Sequence, residues 1–232
     1  RLLVLLGLFC VSASAIAAKS PLNWPWHGVS IQNIDFSPDR FKGILKIISI
    51  NSVQLRLKPR MLAEVKEITS NDALRQSLHW ADLMLDECKR AGIVAIISIE
   101  GYPIDPLVGY NHTSPKFWIN SNNKKDVINL ASDISKHFAK RGPELAAYQL
   151  LSEPVMLVGG KSFSPPKWNI FAENIIEAIR RNDPERWIAI APPPWGLPSS
   201  YKNFEPLPFQ KIIYGAHMYE PHNYTHQGIR HY

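Results

Sequence analysis

The constraint that most narrows the fold of this chain is an alternation. Apolar runs of strand length recur between stretches whose apolar residues fall at three- and four-residue steps, the spacing of a helix. Strands are read at residues 27–33, 52–58, 93–100, 147–153, 187–191 and 211–218, and helices around 38–47, 71–91, 125–140 and 165–181. In the longest helix Leu74, Leu78, Ala81, Leu85 and Cys88 share one face, Asn71 or Asp72 can cap the start, and Gly92 stops it. This alternation implies a parallel sheet covered by helices. An open doubly wound sheet would usually carry a glycine-rich phosphate turn after its first strand. The turn Ile34-Asp35-Phe36-Ser37-Pro38 has no glycine. Instead, Arg56, Glu100, Glu153 and His217 put a polar residue on or at the end of strand after strand. Barrel enzymes keep their chemistry at those carboxyl ends. The expected fold class is α/β, a (β/α)8 TIM barrel with only about the first six strands present in this chain.

The chain starts at Arg1 rather than Met and stops at Tyr232 in an unfinished loop, so both ends read as breaks in a longer reading frame. Residues 2–11 form an apolar run after one cation, followed by the mostly small residues 12–18. That is the order of a secretory signal, with Ala15-Ile16-Ala17 as the cleavage tripeptide. The run is too short to span a bilayer comfortably, and Phe9 before Cys10 does not suit a lipoprotein site. Residues 1–18 are therefore expected to be a signal peptide and residues 19–232 a partial barrel domain. A secreted or periplasmic monomer without stable membrane insertion follows. Cys10 falls in the signal, which leaves Cys88 alone and excludes an internal disulfide. About 210 residues can supply a core without one. Cys88 on its apolar helix face reads as core rather than nucleophile.

The net charge of +6 is dispersed. Lys89-Arg90, Lys140-Arg141 and Arg180-Arg181 each close a helix, where cations suit the dipole. No basic stripe with interleaved aromatics is present, so nucleic acid is not an expected partner. His222 and His226 stand four apart with His217 nearby, but Pro221-His222-Asn223-Tyr224 does not read as the helix that would bring them together. No metal site and no organic cofactor are expected.

The segment Ala147-Tyr148-Gln149-Leu150-Leu151-Ser152-Glu153-Pro154 is an apolar strand that ends in a carboxylate and a proline. A proline cannot donate to a sheet ladder, so the strand must stop there. Glu153 is left at the carboxyl end of a core strand. Arg56 lies among Val53, Leu55 and Leu57, where a guanidinium needs a carboxylate or a ligand; Glu100 and Asp35 are candidates. His217 and Tyr219 alternate across one residue and so share a strand face.

With these residues in order, the chain resembles glycoside hydrolase family 5, the cellulase-like retaining glycosidases on a (β/α)8 barrel. His27-Gly28-Val29-Ser30-Ile31 is similar to the family's first strand and Val53-Gln54-Leu55-Arg56-Leu57 to its second. Leu150-Leu151-Ser152-Glu153-Pro154 resembles the Asn-Glu-Pro motif of the acid/base. Gly215-Ala216-His217-Met218-Tyr219-Glu220-Pro221 with Thr225-His226-Gln227-Gly228 resembles the sixth strand and its loop.

The resemblance implies hydrolysis of a β-linked glucan or mannan by two carboxyl groups about 5–5.5 Å apart. Glu153 would be the acid/base and Arg56 would hold the nucleophile. His217 would position the sugar or the acid/base, and Tyr219 would bond the nucleophile. The nucleophile itself belongs on a seventh barrel strand beyond Tyr232, so the chain as it stands is expected to be inactive and unstable, with two sheet edges open. Ser152 replaces the family's asparagine, leaving the sugar 2-hydroxyl contact longer, water-bridged or lost. Glu100 stands about where the family often has a histidine, as a binding residue or a partner of Arg56. Trp195, in the rigid Pro192-Pro193-Pro194-Trp195-Gly196 loop, offers an indole face for a pyranose ring. Trp118 and Tyr110 would extend the cleft, and Trp24 and Trp26 would close the barrel bottom or start. The rival expectation is a carbohydrate-binding protein on a degenerate glycosidase scaffold.

Overall fold

A computed structural model of the chain describes residues 23–219 except 35 and 150, together with 221 and 224. The expected signal peptide, Asp35, and the histidines at 222 and 226 lie outside those residues.

Six parallel strands make the sheet: β1 (Gly28–Gln32), β2 (Ser52–Leu57), β3 (Val94–Ile99), β4 (Leu145–Gln149), β7 (Trp187–Ile190) and β8 (Ile212–Tyr214), in the order β1-β2-β3-β4-β7-β8. Between β4 and β7 the chain inserts an antiparallel hairpin, β5 (Met156–Val158) and β6 (Lys161–Phe163). The helices are α1 (Pro38–Leu45), α2 (Pro59–Lys66), α3 (Ser70–Ala91), α4 (Pro115–Ile119), α5 (Ser121–Phe138) and α6 (Trp168–Arg180), with a 3₁₀ turn at Pro198–Asn203.

The parallel register gives the sheet two unlike faces, because paired residues of neighbouring strands point the same way. Ile31, Leu55, Ile97, Tyr148, Ile188 and Ile212 form one continuous row. The first five are buried in one cluster with Met84, Leu85 and Cys88 of α3, Phe138 of α5, and Ile175 and Ile179 of α6. Each such side chain contributes roughly 1.5–3 kcal/mol of burial. The adjacent row on the other face is Gln32, Arg56, Ser98, Gln149 and Ala189. Sheet polarity therefore separates a helix-facing core from an inward face that carries the functional groups.

Several elements depart from the sequence expectation. Thr69, not Asn71 or Asp72, caps α3: its Oγ1 accepts from Asp72 N at 3.1 Å and donates to Asp72 Oδ2 at 2.9 Å. Gly92 does stop that helix, in the left-handed region at φ +69°. β4 ends at Gln149, so Glu153 lies in the loop beyond the strand rather than at its last position. Likewise β8 ends at Tyr214, and His217 and Tyr219 follow it in a loop instead of sharing a strand face. In place of sheet pairing, that loop is tied by Gly215 N to Ile190 O at 2.7 Å and His217 N to Gly196 O at 2.7 Å.

Trp118 and Tyr110 do not extend a cleft. Trp118 is buried against Phe117, Trp168 and Phe171 and donates from Nε1 to Val155 O at 3.0 Å. Tyr110 accepts at its hydroxyl from Asn123 Nδ2 at 3.1 Å. Cys88 is fully buried, and burial pushes its thiol up to about 12. Trp24 and Trp26 meet edge to face at 5.4 Å just before β1. No helix among the described residues is long and apolar enough to cross a membrane.

Candidate active site

A cavity of about 540 Å³ opens over the carboxyl ends of β2, β3 and β4. Gln54 and Arg56 of β2, Glu100 after β3, Ser152 and Glu153 after β4, and His217 and Tyr219 after β8 all line it. Trp195, singled out in the sequence as a platform for a sugar ring, is not among the lining groups. Its Nε1 donates to Ser162 Oγ on the hairpin at 2.7 Å.

Two pairs organise the charges. Arg56 grips Glu100 with a two-pronged contact, Nε to Oε1 and Nη2 to Oε2, each at 2.6 Å. Lys58 Nζ stands 3.8 Å from the same carboxylate. The bond to Glu100 raises the Arg56 pKa above its usual value despite partial burial; the Glu153 and Tyr219 side chains add to it. The partner anticipated for Arg56 is thus Glu100.

Glu153 pairs with His217 instead, Oε1 lying 3.0 Å from Nδ1. When the carboxylate is ionised it can only accept, so Nδ1 carries the proton; when Glu153 is protonated the bond reverses. The Glu153 side chain is 36% exposed, open to a reactant from the cavity. The His217 and Tyr219 rings stack edge to face at 5.6 Å. On the floor, Gln54 Nε2 donates to Gln149 Oε1, and Gln149 Nε2 reaches Ser152 Oγ at 3.5 Å, a long and weak contact.

The proline loop after β7 supports both the Glu153 segment and His217. Trp195 N donates to Pro154 O at 3.2 Å while Gly196 O accepts from His217 N. Trp195 and Gly196 both have positive φ, +66° and +70°. A Cβ at Gly196 would stand 2.8 Å from Ala191 Cβ and 3.7 Å from both His217 Cγ and Ser152 O. Glycine is needed there because backbone and site pass so close.

Comparison with known proteins settles the family. The family model Cellulase (glycosyl hydrolase family 5) matches residues 50–229. The chain belongs to glycosyl hydrolase family 5. Endoglucanase 3 of Fibrobacter succinogenes is 31% identical over 119 residues, which are 51% of this chain and 17% of that protein. Endoglucanase C of Acetivibrio thermocellus is 24% identical over 153 residues, 65% of this chain and 41% of that protein. Among solved structures, endoglucanase Cel5A of Thermotoga maritima superposes with a TM-score of 0.62 at 21% identity, covering 87% of this chain and 63% of that one. The cellulose synthase subunit Z of Clostridioides difficile gives 0.62 at 17% identity over 90% and 60%. The chain thus spans under half the length of these curated relatives and about 63% of the Cel5A structure. The fold of this family-5 chain is that of a partial (β/α)8 barrel.

Several lining residues escaped the sequence reading, among them Arg60, Met61, Glu64 and His112. His112, in the loop after β3, borders the cavity with its Nδ1 buried and without a hydrogen-bond partner. Burial lowers its pKa from the ordinary histidine value, while Glu100 and Glu153 pull it the other way. A lone histidine in Tyr110-Asn111-His112-Thr113 has no periodic signal. The available cue is Asn111, whose Oδ1 accepts from Thr113 N at 3.0 Å and fixes the loop's end.

Proposed function

We propose that this chain is the acid/base part of a retaining β-glycosidase acting on β-linked glucan or mannan, without metal or organic cofactor. The observation that carries the reading is Glu153, reachable from the cavity and bonded to His217 across a site formed by four strand ends. Glu153 gives its proton to the glycosidic oxygen as the C–O bond breaks. A glutamate on a seventh barrel strand, outside this sequence, attacks the anomeric carbon. Glu153, now a carboxylate, takes a proton from water whose oxygen displaces that glutamate and restores both groups. His217 orients Glu153 and accommodates its change of charge. Arg56 and Tyr219 face the nucleophile, and Ser152 and Glu100 border the sugar. Trp195 serves as a platform further along the chain of sugars. The cellobiose and mannotriose complexes described for Thermotoga maritima Cel5A support a β-linked glucan or mannan. An exported monomer completes the proposal, motivated by the signal-like residues 1–18.

A second reading, carbohydrate binding without turnover, is favoured by two particulars. The Arg56 fork is occupied by Glu100, and Ser152 stands where the family has an amide. Glu153→Ala in the full-length protein separates the two. The enzyme reading expects kcat on unactivated oligosaccharides to fall about 10²–10⁴-fold. Dinitrophenyl glycosides, whose leaving group needs no proton, should suffer less, and azide should restore part of the rate. A parent protein that binds cellotetraose but never cleaves it would establish the binding reading.

A further inference from the structure

Arg60 makes a set of bonds that the proposed reaction does not call for. From the first turn of α2 its Nη1 donates to the carbonyls of Pro103 at 3.1 Å and of Asp105 and Tyr110 at 3.2 Å. Its Nη2 donates to those of Pro106 at 3.3 Å and Val108 at 2.8 Å. One guanidinium therefore gathers five carbonyls of a single loop. The first turn is a poor place for a cation, because the helix dipole opposes it, and α2 has no acidic residue there. Only Glu64, one turn on, pairs with Arg60 Nε at 3.2 Å. The loop enters against the arginine stem through Gly101, at φ +85°, where a Cβ would lie 3.3 Å from Arg60 Cβ.

The far end of the same loop is tied down too. Tyr110 is held by Asn123, and Thr113 O accepts from Leu157 N at 2.7 Å. His112 sits between these ties, beside the cavity, with a buried and unpaired ring nitrogen. A buried polar atom without a partner is costly, and native structures keep few of them. We propose that Arg60 is a positioning residue of this site: by gathering the 103–110 carbonyls it fixes His112 at the cavity wall, where Nε2 of the imidazole hydrogen-bonds a hydroxyl of the bound sugar. This rests on the glycosidase reading and names a sugar contact within it. The role needs arginine. A lysine offers one ammonium with three donors and cannot span five carbonyls spread along a loop.

The test uses the full-length protein with Arg60→Lys, His112→Asn and the double variant. Without any sugar, the His112 imidazole is titrated by NMR. Its pKa lies below the ordinary value in the parent and returns toward it in Arg60→Lys as the loop loosens. Cellotetraose affinity is then measured by calorimetry in a Glu153→Gln background. Each single variant should weaken binding about three- to tenfold, the worth of one hydrogen bond. The double variant should be no weaker than the poorer single one, since both remove the same contact. A merely structural Arg60 would lower the melting temperature while leaving the titration and the affinity alone, and that result overturns the proposal. Losses that multiply in the double variant overturn it as well. A parent that binds no oligosaccharide overturns it together with the glycosidase reading. A parent that binds, with Arg60→Lys indistinguishable from it, overturns the proposal alone.

Discussion

Two glycines offer a matched pair of perturbations for the loop that braces the site. Gly92 and Gly196 have almost the same φ, +69° and +70°. An alanine at Gly92 meets nothing within 4 Å, whereas at Gly196 its Cβ would stand 2.8 Å from Ala191 Cβ. Gly92→Ala therefore incurs the left-handed penalty alone, about 1–2 kcal/mol. Gly196→Ala incurs the same penalty plus the displacement of a carbon about 1 Å inside its normal contact distance. Overpacking of that kind adds about 1–3 kcal/mol, so Gly196→Ala should lose that much more stability than Gly92→Ala. Urea unfolding followed by circular dichroism gives both values, with unchanged m reporting an unchanged unfolded state. The relief must move either β7's end or the loop that holds His217 N and Pro154 O. Gly196→Ala should therefore also lower turnover, whereas Gly92→Ala, at the opposite end of its strand, should not. Equal losses for the two variants, within about 0.5 kcal/mol, would refute the claim that Gly196 is required by close approach.

Three further outcomes are expected. Glu100→Gln replaces a two-pronged acceptor with an amide that can accept at one oxygen only. Since the Arg56 side chain is 37% exposed and water screens it, the loss should be about 1–2 kcal/mol, read by urea unfolding. A more stable variant would count against that ion pair. His112 has a folded pKa below its unfolded value near 6.5. The unfolded chain takes the proton first, so the associated stability is complete above pH 6.5 and is lost as pH falls through the folded value. His112→Asn should flatten the decline of unfolding free energy below pH 6.5, and an unchanged pH profile would contradict the burial of this ring. Cys88 should stay unmodified by a thiol reagent in native buffer and react once urea exposes it, as peptide mapping would show.

Long elements were legible because their periods are long enough to see. α3 shows five apolar residues at helical steps, and β3 is an Ile- and Val-rich run broken only by Ala95 and Ser98. α2 and α4, at eight and five residues, are too short for a period to emerge, although Pro59 and Pro115 mark their starts. The β5–β6 hairpin carried its own cue, Gly159-Gly160, both at positive φ as a two-residue turn requires. Strand ends were overextended for a physical reason. Leu151, beyond the last residue of β4, is buried in the main core cluster, so hydrophobicity there reports packing rather than sheet pairing. The site was legible in its charges, since carboxylates and cations placed among apolar residues must find partners or ligands. Arg60 was hidden because, apart from Glu64, its partners are backbone carbonyls, which the sequence does not distinguish.

The inward face of the sheet explains why the site tolerates its departures from the family pattern. A buried amide or hydroxyl must be satisfied, and here Gln54 donates to Gln149, whose own amide reaches Ser152 by a long contact along the cavity floor. An asparagine at 152 would bring a second donor into that chain, whereas serine ends it with a hydroxyl that can turn toward either Gln149 or a ligand. Glu100 acts in the same way: it neutralises the arginine that a barrel strand would otherwise leave unpaired beside Glu153. The two substitutions therefore meet one requirement, electrostatic closure of the site before sugar arrives. That closure leaves Glu153 with His217 as its hydrogen-bond partner, so in the proposed reaction the proton of Glu153 is governed by one imidazole rather than by the Arg56–Glu100 pair.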